Sequence, residues 1–254
     1  MRNLSLFVIT KNEQANLGRC LELAKPLVDE IVVLDSGSTD KTQEIAEQFG
    51  AKFSFRQFDG FGQQKRAAES LCKNDWVLNL DADEFLTPEV IAEITHFLSS
   101  DMPQRYNGAR VKTVGIYPHH EKPRFFADYH NYIRLYNRQL LSYPDHPTKD
   151  AIVVTSEKCI HQLKNIILHR SFPDLKTLND KARGRTRFYF QNEKPKSHFF
   201  NILRMVFEFP LAFFKCYILR RHFTGGLYGA KISYIYAKYR FIRIVQRVVK
   251  RALV

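Results

Sequence analysis

The sequence predicts an open α/β fold, a Rossmann-like and mostly parallel sheet flanked by helices, followed by a basic amphipathic helical extension. Three observations predict it. The first hundred residues alternate short apolar runs with helical patterns, the signature of βαβ units. Acidic turns, "LDSGSTD" and "LNLDADEF", stand at the ends of two of those runs. The charge is segregated: residues 1–193 hold 26 Lys and Arg against 25 Asp and Glu, whereas residues 194–254 hold 13 against a single acid, Glu208.

The elements follow in order. "LSLFVIT" reads as a strand, and Leu17, Cys20, Leu21 and Ala24 then recur at helical spacing. "EIVVLD" is the second strand, and "STDKTQEIAEQFG" a capped helix that Gly50 ends. "AKFSFRQF" is a third strand, "GQQKRAAESLC" a helix and "WVLNLD" a fourth strand. "TPEVIAEITHFL" is a helix that Thr87 caps and Pro88 begins. Beyond residue 100 the alternation stops. "GARVKTVGIY", "NYIRLYNR", "AIVVTS" and "CIHQLKNIIL" read as strands, with a helix from about Pro173 to Gln191. The domain reading is therefore residues 1–192 as one body, divided at residue 100, and residues 193–254 as a helical tail.

Length and composition agree with a folded core: 254 residues are 44% hydrophobic. The four cysteines, Cys20, Cys72, Cys159 and Cys216, have neither a CxxC pair nor metal-type spacing, so they read as core thiols in a reducing compartment. The short apolar run at the N-terminus meets polar residues at once and shows no cleavage site, which favours the cytoplasm. None of the nine histidines, His119, His169 and His198 among them, forms a helical HExxH pair, so no zinc site is expected.

Asp81, Asp83 and Glu84 follow directly on a core-forming strand, and such a cluster is costly unless something positive sits against it. In open parallel sheets ligands bind outside the carboxyl ends of the strands. If the segment stays extended, Asp81 and Asp83 share one face and converge on a hard cation, while Glu84 points elsewhere. Mg²⁺ or Mn²⁺ held by a few carboxylates leaves positions open for a diphosphate. Asp35 in the second acidic turn can accept hydrogen bonds from a nucleoside, although the same turn also serves to cap the next helix.

"VITKNEQANL", "IVVLDSGSTDKT", "FDGFGQQKRAAE" and "WVLNLDADEFL", in this order and spacing, resemble the family 2 glycosyltransferases of GT-A fold, and more narrowly the bacterial branch that adds glucose to the lipopolysaccharide inner core. The resemblance implies an inverting enzyme with a nucleotide-sugar donor, most often UDP-glucose. It implies that Thr10 and Asp35 lie against the uridine, Lys65 near the nucleotide, and Asp81 and Asp83 at the metal and diphosphate. Ser36 departs from the pattern, since many members carry a second Asp there.

Inverting transfer needs a carboxylate to take the acceptor's hydroxyl proton. Related enzymes place a His and an acid before a strand in the second half. "YPDHPTKDAIVV" occupies that place, which makes Asp150 the candidate base and Asp145 the alternative.

The tail intersperses Lys231, Lys238, Arg240, Arg243, Arg247, Lys250 and Arg251 with Ile, Tyr, Phe and Val, which suits a helix on an anionic lipid surface. Packing on the catalytic body or in a dimer is the alternative use of those helices. A nucleic-acid partner is not expected, because the tail's apolar stretches require burial and no nucleic-acid module accompanies them. The sequence thus points to a peripheral enzyme on the inner face of the bacterial inner membrane, transferring a hexose to a lipopolysaccharide core heptose. A polyprenyl-phosphate acceptor, or a lipid- or nucleic-acid-binding protein with a vestigial nucleotide site, are the rivals.

Overall fold

The structure is a computed structural model that describes residues 3–118, 120–154, 156–192 and 198–252. His119 lies outside the described residues, as do the side chains of His198, Lys250 and Arg251. Packing divides the chain into two compact units, residues 1–114 with 129–170, and residues 115–128 with 171–254.

The first unit is a mixed sheet packed against helices. Strands β1 (Leu4–Thr10), β2 (Glu30–Asp35), β3 (Lys52–Phe55) and β4 (Trp76–Asp81) pair in parallel in the order β3-β2-β1-β4. The sheet continues antiparallel through β7 (Tyr129–Asn137), β6 (Gly108–Gly115), β8 (Ile160–His169) and β5 (Glu84–Leu86). Both faces of the parallel half are covered, which is why its strands are continuous apolar runs rather than alternating ones. On β1, Leu4, Leu6 and Val8 enter one core with Leu17 and Leu21 of α1 (Leu17–Ala24). Phe7 enters the other, with Val32, Val77 and Ala68 of α3 (Phe61–Ser70). Helix α2 (Thr42–Gln48) follows β2, and Gly50 after it takes a φ of +71°. Helix α4 (Pro88–Ser99) starts as expected: the Thr87 hydroxyl accepts from the Val90 N–H at 3.3 Å. A short α5 (Met102–Arg105) precedes β6.

Two expectations are corrected. Described residues 151–154 of "AIVVTS" form no strand. Ile152 is buried in the second core beside Tyr143, so the apolar run supplies a packing contact without a ladder partner. Ala82 and Asp83 form a turn between β4 and β5, so the alternation of side chains does not run through "DADE".

The second unit consists of α6 (Leu175–Asn192), α7 (His198–Phe214), α8 (Gly226–Ala252) and the segment 115–128. Helix α8 packs against both α6 and α7, so the helix expected near Pro173–Gln191 belongs with the tail helices. A small core gathers Tyr117, Phe172, Leu178 and Ile232. Glu208 is buried on α7 and paired with Arg204 and with Arg240 of α8, each at 2.8 Å. No helix among the described residues is long and apolar enough to cross a membrane.

Candidate active site

Three strand ends define the site. Thr10 closes β1 and Asp35 closes β2 directly beside it, while Asp81 closes β4 opposite Ile9. The buried Thr10 hydroxyl donates to Asp35 Oδ1 at 3.0 Å. The Gly37 and Ser38 N–H groups both donate to Asp35 Oδ2 at 2.7 Å, and the Ser38 hydroxyl donates to Oδ1. Burial pushes the Asp35 carboxyl up, but the bonds from Ser38, Gly37 and Thr10 outweigh it and hold the group below the usual carboxylate range. Asp35 therefore shapes the turn as well as lying at its mouth. The N-cap position of α2 is Lys41, and Asp40 just before it accepts from the Thr42 N–H through Oδ1 at 3.0 Å. Ser36, at the position that departs from the family pattern, accepts from Gln64 Nε2 of α3 at 3.0 Å.

The cluster at the end of β4 has its positive partners. Lys65 Nζ, buried, lies 3.0 Å from Asp81 Oδ1, and Arg134 Nη2 of β7 lies 3.0 Å from Asp81 Oδ2. Burial alone would raise Asp81 and lower Lys65, but the pairing reverses both, keeping the carboxyl far down and the ammonium charged. Arg134 also pairs with the buried Glu84, and its Nη1 donates to Asn79 Oδ1 at 2.8 Å, an oxygen shared with the Tyr143 hydroxyl at 2.7 Å. Glu84, expected to point away, folds back to accept the Asp81 N–H at 3.0 Å, because the turn at residues 82–83 reverses its direction. Burial, more than its neighbours, raises the Glu84 carboxyl.

Asp83 faces a different partner. Its Oδ1 lies 3.2 Å from Nε2 of His169, which ends β8 and pairs in register with Glu84. Burial would lower the His169 imidazole, but Asp83 outweighs it and raises the value to about 9. Asp81 and Asp83 thus meet different protein partners. Asp81 is committed to two protein cations, and a divalent cation could be shared by Asp83 and His169 only once the imidazole gives up its proton. Among the described residues no group of three or more His, Cys, Asp or Glu could hold a metal. A cation held there therefore takes further ligands from outside this set.

The candidate base loop is built onto α3. The Phe61 and Gly62 N–H groups, in the first turn of the helix, donate to the carbonyls of Pro147 and His146 at 2.9 and 3.2 Å. A side chain at Gly62 would meet the carbonyl oxygens of Pro144, His146 and Lys149, all within 2.6 Å, which explains the second glycine of "DGFG". Asp150 is exposed, and its charge acts on Lys65, Tyr132 and Tyr143. Asp145, also exposed, acts on Arg56.

Sequence reasoning missed Arg134, His169, Asn79 and Tyr143. A signal existed for Arg134: a cation amid Tyr132, Ile133, Leu135 and Tyr136 in mid-strand needs a buried anion.

A parallel half-sheet with buried cations and carboxylates at its strand ends can hold an anionic ligand, as in the α/β enzymes that bind ligands outside the carboxyl ends of their strands. The chain belongs to glycosyl transferase family 2, whose model matches residues 5–152, and it is a glycosyltransferase. It is 35% identical over 253 residues to an uncharacterized glycosyltransferase of Rickettsia felis, covering 97% of this chain and 89% of the relative. It is 39% identical over 88 residues to the lipopolysaccharide core biosynthesis glycosyltransferase LpsC of Rhizobium meliloti, which is 33% of this chain and 32% of that one. The solved structure of S. aureus TarS is similar over 88% of this chain and 45% of that chain, with a TM-score of 0.49 and 14% identity.

Proposed function

We propose that this glycosyltransferase inverts the anomeric carbon and moves glucose from UDP-glucose onto an inner-core heptose of lipopolysaccharide, working peripherally at the cytoplasmic face of the inner membrane. The observation that carries the donor reading is the pair of buried cations, Lys65 and Arg134, fixed on Asp81 where three parallel strands end. The partial likeness to a lipopolysaccharide core enzyme supports the acceptor, and so does the basic second unit. In functional terms residues 1–100 serve the donor, residues 101–192 the acceptor, and residues 193–254 attachment.

Thr10 and Asp35 bind the nucleoside, while Lys65 and Asp81 serve the nucleotide's diphosphate. Lys65 and Arg134 add fixed positive charge where negative charge grows as the diphosphate leaves. Asp83 and His169 would hold Mg²⁺ or Mn²⁺, the imidazole favouring the latter. When bound, that ion supplies further neutralisation of the leaving group. Asp150 takes the proton of the attacking hydroxyl.

The test is a transfer assay with a panel of nucleotide sugars, with and without Mg²⁺ or Mn²⁺, on heptose-terminated core lipid. Metal-dependent glucose transfer that disappears in Asp83→Ala is expected. Asp150→Asn should lower turnover about 10² to 10⁴-fold. Full activity of that variant on polyprenyl phosphate, which is already ionised, would move the acceptor to that class instead.

A further inference from the structure

Helix α7 is amphipathic the wrong way round for a helix that ends at solvent. Phe199, Leu203, Val206, Phe207, Leu211 and Phe214 recur at spacings of three and four and are all exposed, Phe199 to 79% and Val206 to 65%. The opposite arc, with Glu208 and Ala212, is buried. An apolar stripe of this length, unbroken over more than three turns, is not a normal solvent surface. It continues past the helix end: Leu219 and Phe223 are exposed, and Arg221 lies over the ring of Phe126 at 5.8 Å. Phe126 is itself 62% exposed and holds a φ of +53°, a region rare for a bulky residue. With Phe125, whose ring centroid lies 4.4 Å away edge-on, it forms an aromatic tip.

We propose that α7 and this aromatic tip are the element that inserts into the headgroup layer of an anionic bilayer. This deepens the membrane reading above, which located attachment in the charges of the tail, by assigning insertion to α7. Charge decides the occupant. The second unit carries 20 Lys and Arg against six Asp and Glu over residues 115–128 and 171–254. A second copy of the chain would set like charge against like, whereas an anionic leaflet answers it. Lys215 and Arg221, exposed beside the stripe, stand where headgroup phosphates would lie. Arg204, Glu208 and Pro210 preclude a spanning segment, so the helix lies in the interface plane.

The experiment is co-sedimentation of the full chain with vesicles of phosphatidylglycerol and phosphatidylethanolamine, and of phosphatidylcholine alone. The double variant Val206→Glu, Leu211→Glu alters two exposed side chains, so an unchanged melting curve and unchanged UDP binding report an intact fold. Wild type should bind the anionic vesicles and retain part of that binding in molar salt. The double variant should bind on the order of 100-fold more weakly, as expected for losing two inserted side chains. Equal binding by both proteins, abolished alike by salt, would overturn the proposal in favour of charge attachment through α8. A dimer in sedimentation velocity that the variant dissociates would overturn it in favour of self-association. Glucose transfer to a detergent-solubilised acceptor reports on the reaction separately, since neither residue belongs to the donor site.

Discussion

Lys65 Nζ and Asp81 Oδ1 stand 3.0 Å apart, joining helix α3 to the end of strand β4, with the lysine buried and the carboxylate's side chain one-third exposed. Removing one partner of a buried pair typically costs about 3–5 kcal/mol because the other is left uncompensated. Asp81 retains Arg134 and some solvent, so Lys65→Met should cost nearer about 2 kcal/mol in urea unfolding. UDP affinity should fall in the same variant. A Lys65→Met, Asp81→Leu double variant that regains stability without regaining affinity would separate the two roles.

Gly62→Ala should disturb the loop as well as the helix. Its Cβ would press on three carbonyl oxygens of residues 144–149, and overpacking of that kind costs about 1–3 kcal/mol. Turnover should fall at least about tenfold, since a displacement near 1 Å at a reacting group is that damaging. Steady-state kinetics showing kcat unchanged would refute the link between the loop and Asp150.

Gly184→Ala should do the opposite. Gly184 lies inside α6 with nothing within 4 Å of where a Cβ would go. Alanine in a helix interior is worth about 1 kcal/mol over glycine. The second unit should melt a few degrees higher, as calorimetry would show.

Acid should weaken the second unit through His222. The Arg124 guanidinium donates to the Tyr117 hydroxyl at 3.1 Å, and that hydroxyl pairs with His222 Nδ1 at 2.7 Å. Burial first, and then the charge of Arg124, lower the imidazole to about 4; Asp128 opposes the shift and Arg220 adds to it. The folded value lies below the unfolded one near 6.5, so the unfolded chain takes up the proton first. Stability is then full above about pH 6.5 and falls between about 6.5 and 4, by up to about 2 kcal/mol for a partly exposed ring. His222→Gln, which can still accept from Tyr117, should flatten that slope in melts taken across the range.

The parallel half of the sheet was legible because each of its strands is a continuous apolar run bounded by turn and helix signals. Its acidic ends were legible because carboxylates directly after such a run demand a partner. The partner's identity was not. Arg134 comes from 53 positions beyond Asp81 and His169 from 86 beyond Asp83, on antiparallel strands whose register nothing local encodes. "AIVVTS" misled for a related reason, since β-branched residues serve a core contact as well as a ladder, and only the fold decides which. In the tail, composition located the charge, while the exposure of α7 depends on which face α8 covers.

The carbonyls of Pro147 and His146 that receive the first N–H groups of α3 carry an evolutionary consequence. Enzymes built on a shared scaffold usually change partners by lengthening or shortening surface loops. Here the loop bearing Asp150 is also the cap of the helix bearing Lys65, and Gly60 and Gly62 admit only backbone at the seam. Insertions there would uncap α3, so diversification toward new acceptors must draw on other segments.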